Sequence, residues 1–446
     1  MLLSVPSQAF GVSCTLSVTE GAQANAQGML GAFVVNLRAL HNCIKVSQTR
    51  IFTRIHGKKA IIREIRARIR VGLCWRPIYA RVSVHINGSE ATTMPETYTC
   101  SILTGVKQIE FGEMPIPEPG PTQALVKVRA CALCTWEQRV YAGVERSFYP
   151  LLGGHEVAGE LVKAGEQVLT KAKPGDRVVA AMLTRCGQCV SCRRGLDNIC
   201  DNAWANRPTG APAGPGGLSE YVLIEDYQLY PVGNSDVPFE ELCLAEPLAC
   251  VLRSMKKARV EPADSVVIVG AGIMGLLHLT LVQRLGARVI VSEPNPARAA
   301  KARSLGAMVT IDPTSEDFVK RTKELTSGRG PDVVFCTVGV LAAVEQAVSV
   351  VAKGGRVMMY ASVHPRGSMI TVDPNLFHGK EITLTGTMSQ DHEDFLQAVS
   401  LLSNRIVDLK PLVSAVYPFS QLKEALETAI NSGTYRVIVT MGGLPV

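Results

Sequence analysis

Short apolar segments separated by turn-forming residues run through the second half of this 446-residue chain. The runs that have the length of buried strands are Val266–Val269, Ala287–Ser292, Met308–Ile311, Val333–Cys336 and Arg356–Tyr360. Between them, Glu316–Leu325 and Leu341–Val351 have helical periodicity. Strands that alternate with helices predict an α/β fold with a parallel, doubly wound sheet.

The chain before this alternation has a pattern that predicts a β-rich domain. Ala124–Ala130 alternates apolar and polar residues as a half-buried strand does. Thr99–Thr104 and Ser219–Leu229 are further strand candidates, and proline and glycine interrupt the stretches between them. After the alternation, Asp394–Asn404 and Phe419–Asn431 look helical, and Tyr435–Thr440 is a candidate closing strand.

Residues 1–93 carry the basic character of the chain. Twelve Lys and Arg against three Glu give this segment a charge of +9, whereas the whole chain has +7 and the remainder therefore −2. Ile61–Val71 alternates arginine with apolar residues, which fits a basic arm for nucleic acid or acidic lipid, or part of a transit peptide. We favour the other interpretation, an extension before Met94 that is disordered or absent from the native protein.

Four cysteines follow one another in the pattern C-x2-C-x2-C-x7-C, at Cys186, Cys189, Cys192 and Cys200. Thiolates that bind one zinc must converge on a point, and such short spacings allow this. Four buried thiols or two disulfides are the alternatives, but disulfide frameworks are typical of small secreted domains. The spacing therefore predicts a structural zinc in the lobe formed by residues 186–200.

Cys134, His155 and Glu156 suit a second zinc that keeps an open position for water or substrate. Taken singly, a cysteine and a histidine are more often core residues, and a glutamate is more often a surface charge. Gly153 and Gly154 directly precede His155, as expected where backbone must approach a site closely.

A dinucleotide fingerprint follows the predicted strand Val266–Val269. Its G-x-G-x-x-G pattern consists of Gly270, Gly272, Ile273, Met274 and Gly275, with Ala271 at the second position. Glycines here allow a tight turn against the pyrophosphate at a helix N-terminus. Glu293 ends the next strand, where an acid bonds the ribose 2′-hydroxyl and repels a 2′-phosphate, so NAD is favoured over NADP. Arg298 is the competing feature, because it could reach such a phosphate.

These motifs, in this order, resemble the zinc-dependent alcohol dehydrogenases of the medium-chain dehydrogenase/reductase superfamily. The resemblance runs from about Met94 to the C-terminus and implies a GroES-like catalytic domain followed by a Rossmann domain. We expect the first at 94–248, the second at 249–388, and a return to the catalytic domain at 389–446, with the active site in the cleft between them. It also implies two zinc ions per chain and hydride transfer between a secondary alcohol, polyol or sugar alcohol and NAD.

By resemblance to polyol and threonine dehydrogenases, Glu246, which precedes Pro247, lies beside the catalytic zinc as a ligand or as a partner of its water. Cys250 is the alternative ligand. The family commonly has a hydroxyl two residues after the zinc-binding cysteine to relay the proton, but this chain has Trp136 there. Thr135 and Glu137 are the candidates for that role.

Two other functions stay open at this point. One is a zinc-free quinone or enoyl reductase activity, and the other is a binding protein that uses the basic N-terminal arm. No apolar run is long enough to span a membrane. We do not expect nucleic acid as a partner. Thirteen cysteines without a paired framework fit a reducing cytoplasm, and family resemblance implies a homodimer or homotetramer.

Overall fold

The structure is a computed structural model, and it describes residues 95–442 except 146, 204–212, 234 and 432, together with six backbone strands in residues 1–94. The chain divides into two units, 1–94 and 95–446. The strands of the first unit are β1 (Leu2–Pro6), β2 (Val12–Ser17), β3 (Thr53–His56), β4 (Lys59–Ile62), β5 (Ile65–Val71) and β6 (Cys74–Ile86). Four of them form a sheet in the order β1-β2-β6-β5, and β3 pairs with β4.

Side chains of residues 1–94, including the arginines of Ile61–Val71, lie outside the described residues. The interpretation of this segment as an extension that is disordered or absent from the native protein stays a prediction.

The β-rich part of the second unit is built on a long central strand. Its strands are β7 (Thr97–Gly105), β8 (Gln108–Pro115), β9 (Gln123–Ala132), β10 (Glu156–Ala164), β11 (Arg177–Ala181), β12 (Tyr221–Glu225) and β13 (Leu229–Pro231). The helices in and after it are α1 (Thr135–Tyr141), α2 (Val190–Arg193), α3 (Phe239–Leu242) and α4 (Ala245–Ala258). β9 pairs with β10 and β12, and β7 with β8.

The strand predicted at Ser219–Leu229 is two short strands. Glu225 accepts a hydrogen bond from the backbone of Gln228 and the Gln228 side chain bonds back, so a 3-10 turn separates β12 from β13.

The parallel sheet follows, with strands β14 (Ser265–Val269), β15 (Arg288–Ser292), β16 (Val309–Ile311), β17 (Val333–Cys336), β18 (Arg356–Met359) and β19 (Thr383–Gly386). The helices that accompany it are α5 (Ile273–Val282), α6 (Pro296–Ser304), α7 (Phe318–Leu325), α8 (Leu341–Val350) and α9 (Pro374–Lys380). The strands lie in the order β16-β15-β14-β17-β18-β19. Successive strands are added on one side of β14 up to β16 and on its other side from β17 onwards, as in a doubly wound sheet. The predicted α/β class is confirmed.

The last elements return to the first sheet. They are α10 (His392–Ser403), β20 (Val413–Pro418), α11 (Leu422–Ala429) and β21 (Arg436–Thr440). β21 pairs antiparallel with β9 and parallel with β20. One core cluster contains both Ala130 of β9 and Val266 of β14, so the β-rich part and the parallel sheet pack against each other.

Candidate active site

Cys134, His155 and Glu156 lie together, with one ligand atom of each within 4.8 Å of the others. The pairing of β9 with β10 brings them there, because Glu156 lies opposite Ala132, two residues before Cys134. Cys134 occupies the position directly before α1, and His155 directly precedes β10. A sulfur, a nitrogen and a carboxylate oxygen at one point form a donor set that zinc favours.

Glu137 orients the histidine of this group. Its Oε1 lies 2.7 Å from His155 Nδ1 and accepts a hydrogen bond of 3.0 Å from the Gly154 backbone N–H. A carboxylate on one ring nitrogen fixes the other nitrogen for a metal, which is the usual arrangement around zinc-binding histidines. Burial itself lowers the pKa of His155, but Glu137 and Cys134 hold it well above its ordinary value.

Gly154 is required by the local backbone. Its φ is +93°, and a Cβ there would lie 2.4 Å from the backbone nitrogen of Leu218. Any side chain would therefore force the backbone next to His155 to shift.

Glu156 is paired with Arg436 of β21. Arg436 Nε donates to Glu156 Oε2 at 2.9 Å, and its Nη2 donates to Oε1. Both side chains are fully buried. Burial raises the pKa of Glu156 to about 7 although Arg436 alone would lower it. The sequence signal that could have identified Arg436 is a lone charged residue in the otherwise apolar Tyr435–Thr440 strand.

The second predicted carboxylate, Glu246, lies next to this group but outside it. Its negative charge contributes to the raised pKa of Glu156, and its Oε1 lies 3.4 Å from Cys250 Sγ, one turn further along α4. The thiol of Cys250 also lies 3.0 Å from Gln390 Oε1. Gln390 is a residue that the sequence analysis missed, and no motif marks it.

Thr135 is the first residue of α1. Trp136 packs edge-on against the His155 ring, with ring centroids 6.0 Å apart. Trp136 therefore covers one side of the His155 ring. These contacts do not test the predicted proton relay, so Thr135 and Glu137 both stay candidates for it.

The four lobe cysteines also converge. Cys200 Sγ lies 3.6 Å from Cys186 Sγ and 3.9 Å from Cys189 Sγ, and the four ligand atoms fall within 4.8 Å of one another. Sulfurs about 2.3 Å from a central zinc stand about 3.8 Å apart in a tetrahedron. A disulfide would require about 2.05 Å, and the described cysteines are all free.

Backbone N–H groups of the lobe point at these sulfurs. Cys186 accepts hydrogen bonds from the Asn202 side chain and from the backbone of Gln188 and Cys189, and these lower its pKa to about 6. Such bonds favour thiolates, the form in which cysteine binds zinc. The residues therefore fit a structural zinc.

The glycine turn after β14 leaves a cradle for a dinucleotide. Gly270 has φ +101°, and Gly272 caps the ten-residue helix α5, which begins with Ile273 and Met274. A Cβ on Gly272 would meet only Arg298 Nη1, at 3.9 Å, so open space lies over the helix N-terminus. A Cβ on Gly275 would lie 1.9 Å from the Gly270 carbonyl oxygen, so this glycine allows the helix to pack against the strand.

Glu293 supports the same turn. Its Oε2 accepts a hydrogen bond of 2.7 Å from the Ala271 backbone N–H, and its Oε1 accepts one of 2.9 Å from Asn295. Each carboxylate oxygen has a second lone pair, so these bonds leave acceptor capacity for a ribose hydroxyl.

Comparison with known proteins assigns a family to both parts of the second unit. Residues 274–404 match the zinc-binding dehydrogenase family, and residues 120–234 match the alcohol dehydrogenase GroES-like domain. An L-threonine 3-dehydrogenase of Caldanaerobacter subterraneus is 31% identical over 73% of this chain and 93% of its own length. The chain belongs to the zinc-dependent alcohol dehydrogenase family.

Two further matches cover a similar share of this chain. The sorbitol dehydrogenase of Bacillus subtilis is 26% identical over 76% of this chain and 95% of its own length. A structure described as a zinc-binding dehydrogenase of Sinorhizobium meliloti bound to NADP has a TM-score of 0.71 and 28% identity, and the match covers 78% of this chain and all of that one. The resemblance inferred from the motifs is confirmed.

This alcohol dehydrogenase is therefore an oxidoreductase that acts on CH–OH donors and uses zinc and a nicotinamide cofactor, and its GroES-like and Rossmann parts are confirmed. Among the helices that the described residues form, none has the length and apolar character of a membrane span. The exact domain boundaries and the roles of individual site residues stay predictions.

Proposed function

We propose that this alcohol dehydrogenase transfers hydride between a secondary hydroxyl of a small polyol or sugar alcohol and NAD. The observation that carries the proposal is the partly buried group of Cys134, His155 and Glu156, with a further carboxylate, Glu246, beside it. Polyol and threonine dehydrogenases resemble this chain in having glutamate at the position of Glu246. The relatives named sorbitol dehydrogenase and L-threonine 3-dehydrogenase support the same substrate class.

In this proposal, Cys134 and His155 hold the catalytic metal, and Glu156 or Glu246 is its third protein ligand. A zinc bound there acts as a Lewis acid that makes a substrate hydroxyl easier to deprotonate. Glu137 keeps His155 in the tautomer that binds metal. Arg436 holds Glu156 in place and compensates its buried charge, since an unpaired carboxylate would be costly there.

The glycine turn from Gly270 to Gly275 binds the cofactor pyrophosphate, and Glu293 binds the ribose. We propose NAD over NADP because a 2′-phosphate would face the Glu293 carboxylate. Arg298 lies near Gly272 and is the residue through which NADP could still bind.

Two coarser expectations complete the proposal. We propose a homodimer or homotetramer, as is usual in this family, and a cytoplasmic location, since the described cysteines are unpaired and fit a reducing compartment. The zinc-free reductase and binding-protein alternatives have less support, because neither explains why Cys134, His155 and Glu156 converge.

The test is a substrate panel with metal analysis. Polyols, short alcohols, threonine and cyclic sugars are each offered with NAD and with NADP, and the absorbance of the reduced nicotinamide is followed. We expect turnover of at least one polyol with NAD and two zinc ions per chain. Cys134→Ser should reduce the zinc content to one and kcat/KM by about 100-fold or more, because the Lewis acid contributes several kcal/mol.

Cys131→Ser is the matched control, since Cys131 lies in β9 three residues before Cys134 and outside the ligand group. It should keep both zinc ions. Unchanged turnover by Cys134→Ser would refute the proposal.

A further inference from the structure

The segment Met388–His392 lies between the four-cysteine lobe and the candidate active site. On the lobe side, Asn198 Nδ2 donates to the Met388 carbonyl oxygen at 2.6 Å, and Asp197 Oδ2 lies 3.3 Å from His392 Nδ1. Asp197 and Asn198 are both buried and directly precede Ile199 and the zinc-binding Cys200. The lobe therefore contacts both ends of this five-residue segment.

On the opposite side, the same segment contacts α4. Gln390 is 3% exposed, and its Oε1 accepts hydrogen bonds from Cys250 Sγ at 3.0 Å and from Ser389 Oγ at 2.7 Å. Cys250 lies one helical turn after Glu246 and 3.4 Å from its Oε1. A short series of side-chain contacts thus joins Gln390 to the carboxylate beside the metal group.

The segment contains one unusual backbone conformation. Ser389 has φ +52°, in the left-handed region that residues other than glycine rarely adopt. Such a conformation persists only when neighbouring contacts hold it, and here they come from the lobe on one side and α4 on the other.

We propose that Gln390 is a positioning residue, which holds Cys250 against Glu246 and so fixes the second carboxylate of the catalytic centre. We infer further that the four-cysteine lobe is the anchor of Gln390, through Asn198. The lobe then has a role beyond stability, because an intact lobe determines the position of the Glu246 carboxylate. This inference rests on the proposed catalytic centre at Cys134 and His155.

The test uses the full-length protein with cobalt in the catalytic centre and zinc retained in the four-cysteine lobe, because the visible spectrum of cobalt then reports the geometry of the catalytic ligands alone. The variant is Gln390→Ala, and the matched control is Gln397→Ala on α10, whose side chain contacts the exposed Glu393. Metal release from the catalytic centre into a chelator, the cobalt spectrum and kcat/KM are measured for each.

We expect Gln390→Ala to speed metal release and lower kcat/KM by up to about 10-fold, the lower end of the roughly 10- to 100-fold loss that follows removal of a direct partner of a metal ligand. Its cobalt spectrum should shift, its KM for NAD should stay unchanged, and Gln397→Ala should match the wild type in all measurements. A Gln390→Ala protein with wild-type spectrum and release rate would overturn the positioning role, whatever its thermal stability.

The link to the lobe is tested with Asn198→Ala, which leaves the four cysteines intact, against Asn404→Ala at the exposed end of α10. We expect Asn198→Ala to shift the cobalt spectrum in the same direction as Gln390→Ala, by a smaller amount. A spectrum identical to wild type would overturn the lobe anchor. If wild-type protein bound no cobalt at Cys134 and His155, the proposed function itself would fail, which is a distinguishable result.

Discussion

At the scale of single residues, the candidate active site is held by partners far away in sequence. Arg436 pairs with Glu156 across 280 positions, and Gln390 reaches Cys250 across 140. No spacing rule links such residues, because their contact depends on how β21 and α10 return to the first domain. The candidate metal ligands Cys134, His155 and Glu156 were predicted with the help of the glycines before His155 and of the family resemblance, since their spacing alone is a weak signal.

His278 gives a residue-scale prediction about pH. The side chain is fully buried, with Nδ1 donating to the Met274 carbonyl oxygen at 2.8 Å and Nε2 3.0 Å from Ser254 Oγ. Burial lowers the pKa of His278 to about 4. The unfolded chain therefore binds this proton first, so the stability contributed by neutral His278 is lost as the pH falls below the unfolded value of about 6.5.

When the pH is lowered from 7.5 to 5, the free energy of unfolding of the wild type should fall by about 2 kcal/mol because of His278. In His278→Gln this part of the fall should be absent. Urea unfolding of both proteins at the two pH values measures the difference. Parallel pH dependences for wild type and variant would contradict the prediction.

At the scale of elements, the turn between β14 and α5 contains two glycines with different structural roles. At Gly275 a Cβ would lie 1.9 Å from the Gly270 carbonyl oxygen, whereas at Gly272 the nearest atom would be Arg298 Nη1 at 3.9 Å. The first glycine is needed for packing the helix on the sheet. The second leaves room for the pyrophosphate of the cofactor.

We therefore expect Gly275→Ala to lower both the melting temperature and NAD affinity, because overpacking costs about 1–3 kcal/mol. Gly272→Ala should raise the dissociation constant for NAD by about 10-fold or more with little change in melting temperature. Calorimetric melting and NADH fluorescence titration measure the two effects. Equal melting temperatures for the two variants would contradict the assignment.

At the scale of the whole second unit, side chains join the GroES-like and Rossmann parts. Arg139 of α1 donates to Ser362 Oγ at 2.7 Å and lies 3.3 Å from His364 Nε2, in the loop after β18. The carboxyl ends of the parallel strands are where the cofactor binds, so release of the cofactor requires this side to open. A second pair, Arg366 with Glu145, is more exposed.

Arg139→Ala should increase the NADH dissociation rate several-fold, up to about 10-fold for a loss near 1.4 kcal/mol. Arg366→Ala is the control and should change it little, since exposed ion pairs contribute about 0–1 kcal/mol. Stopped-flow fluorescence of bound NADH measures both rates. An unchanged rate for Arg139→Ala would show that the contact does not hold the cleft closed.

The sequence by itself determined the elements whose signals are local. The four-cysteine spacing, the glycine turn after an apolar strand and the strand–helix alternation each depend on neighbours within a few residues, so they predicted the zinc lobe, the cofactor turn and the parallel sheet. Only the tertiary structure decided which distant side chains complete the sites. The burial of Glu156 with Arg436, the use of Glu137 to orient His155 and the contact of Gln390 with Cys250 all depend on chain segments that meet through packing. Apolar periodicity shows which face of a segment is buried, but it does not show which distant segment packs against it.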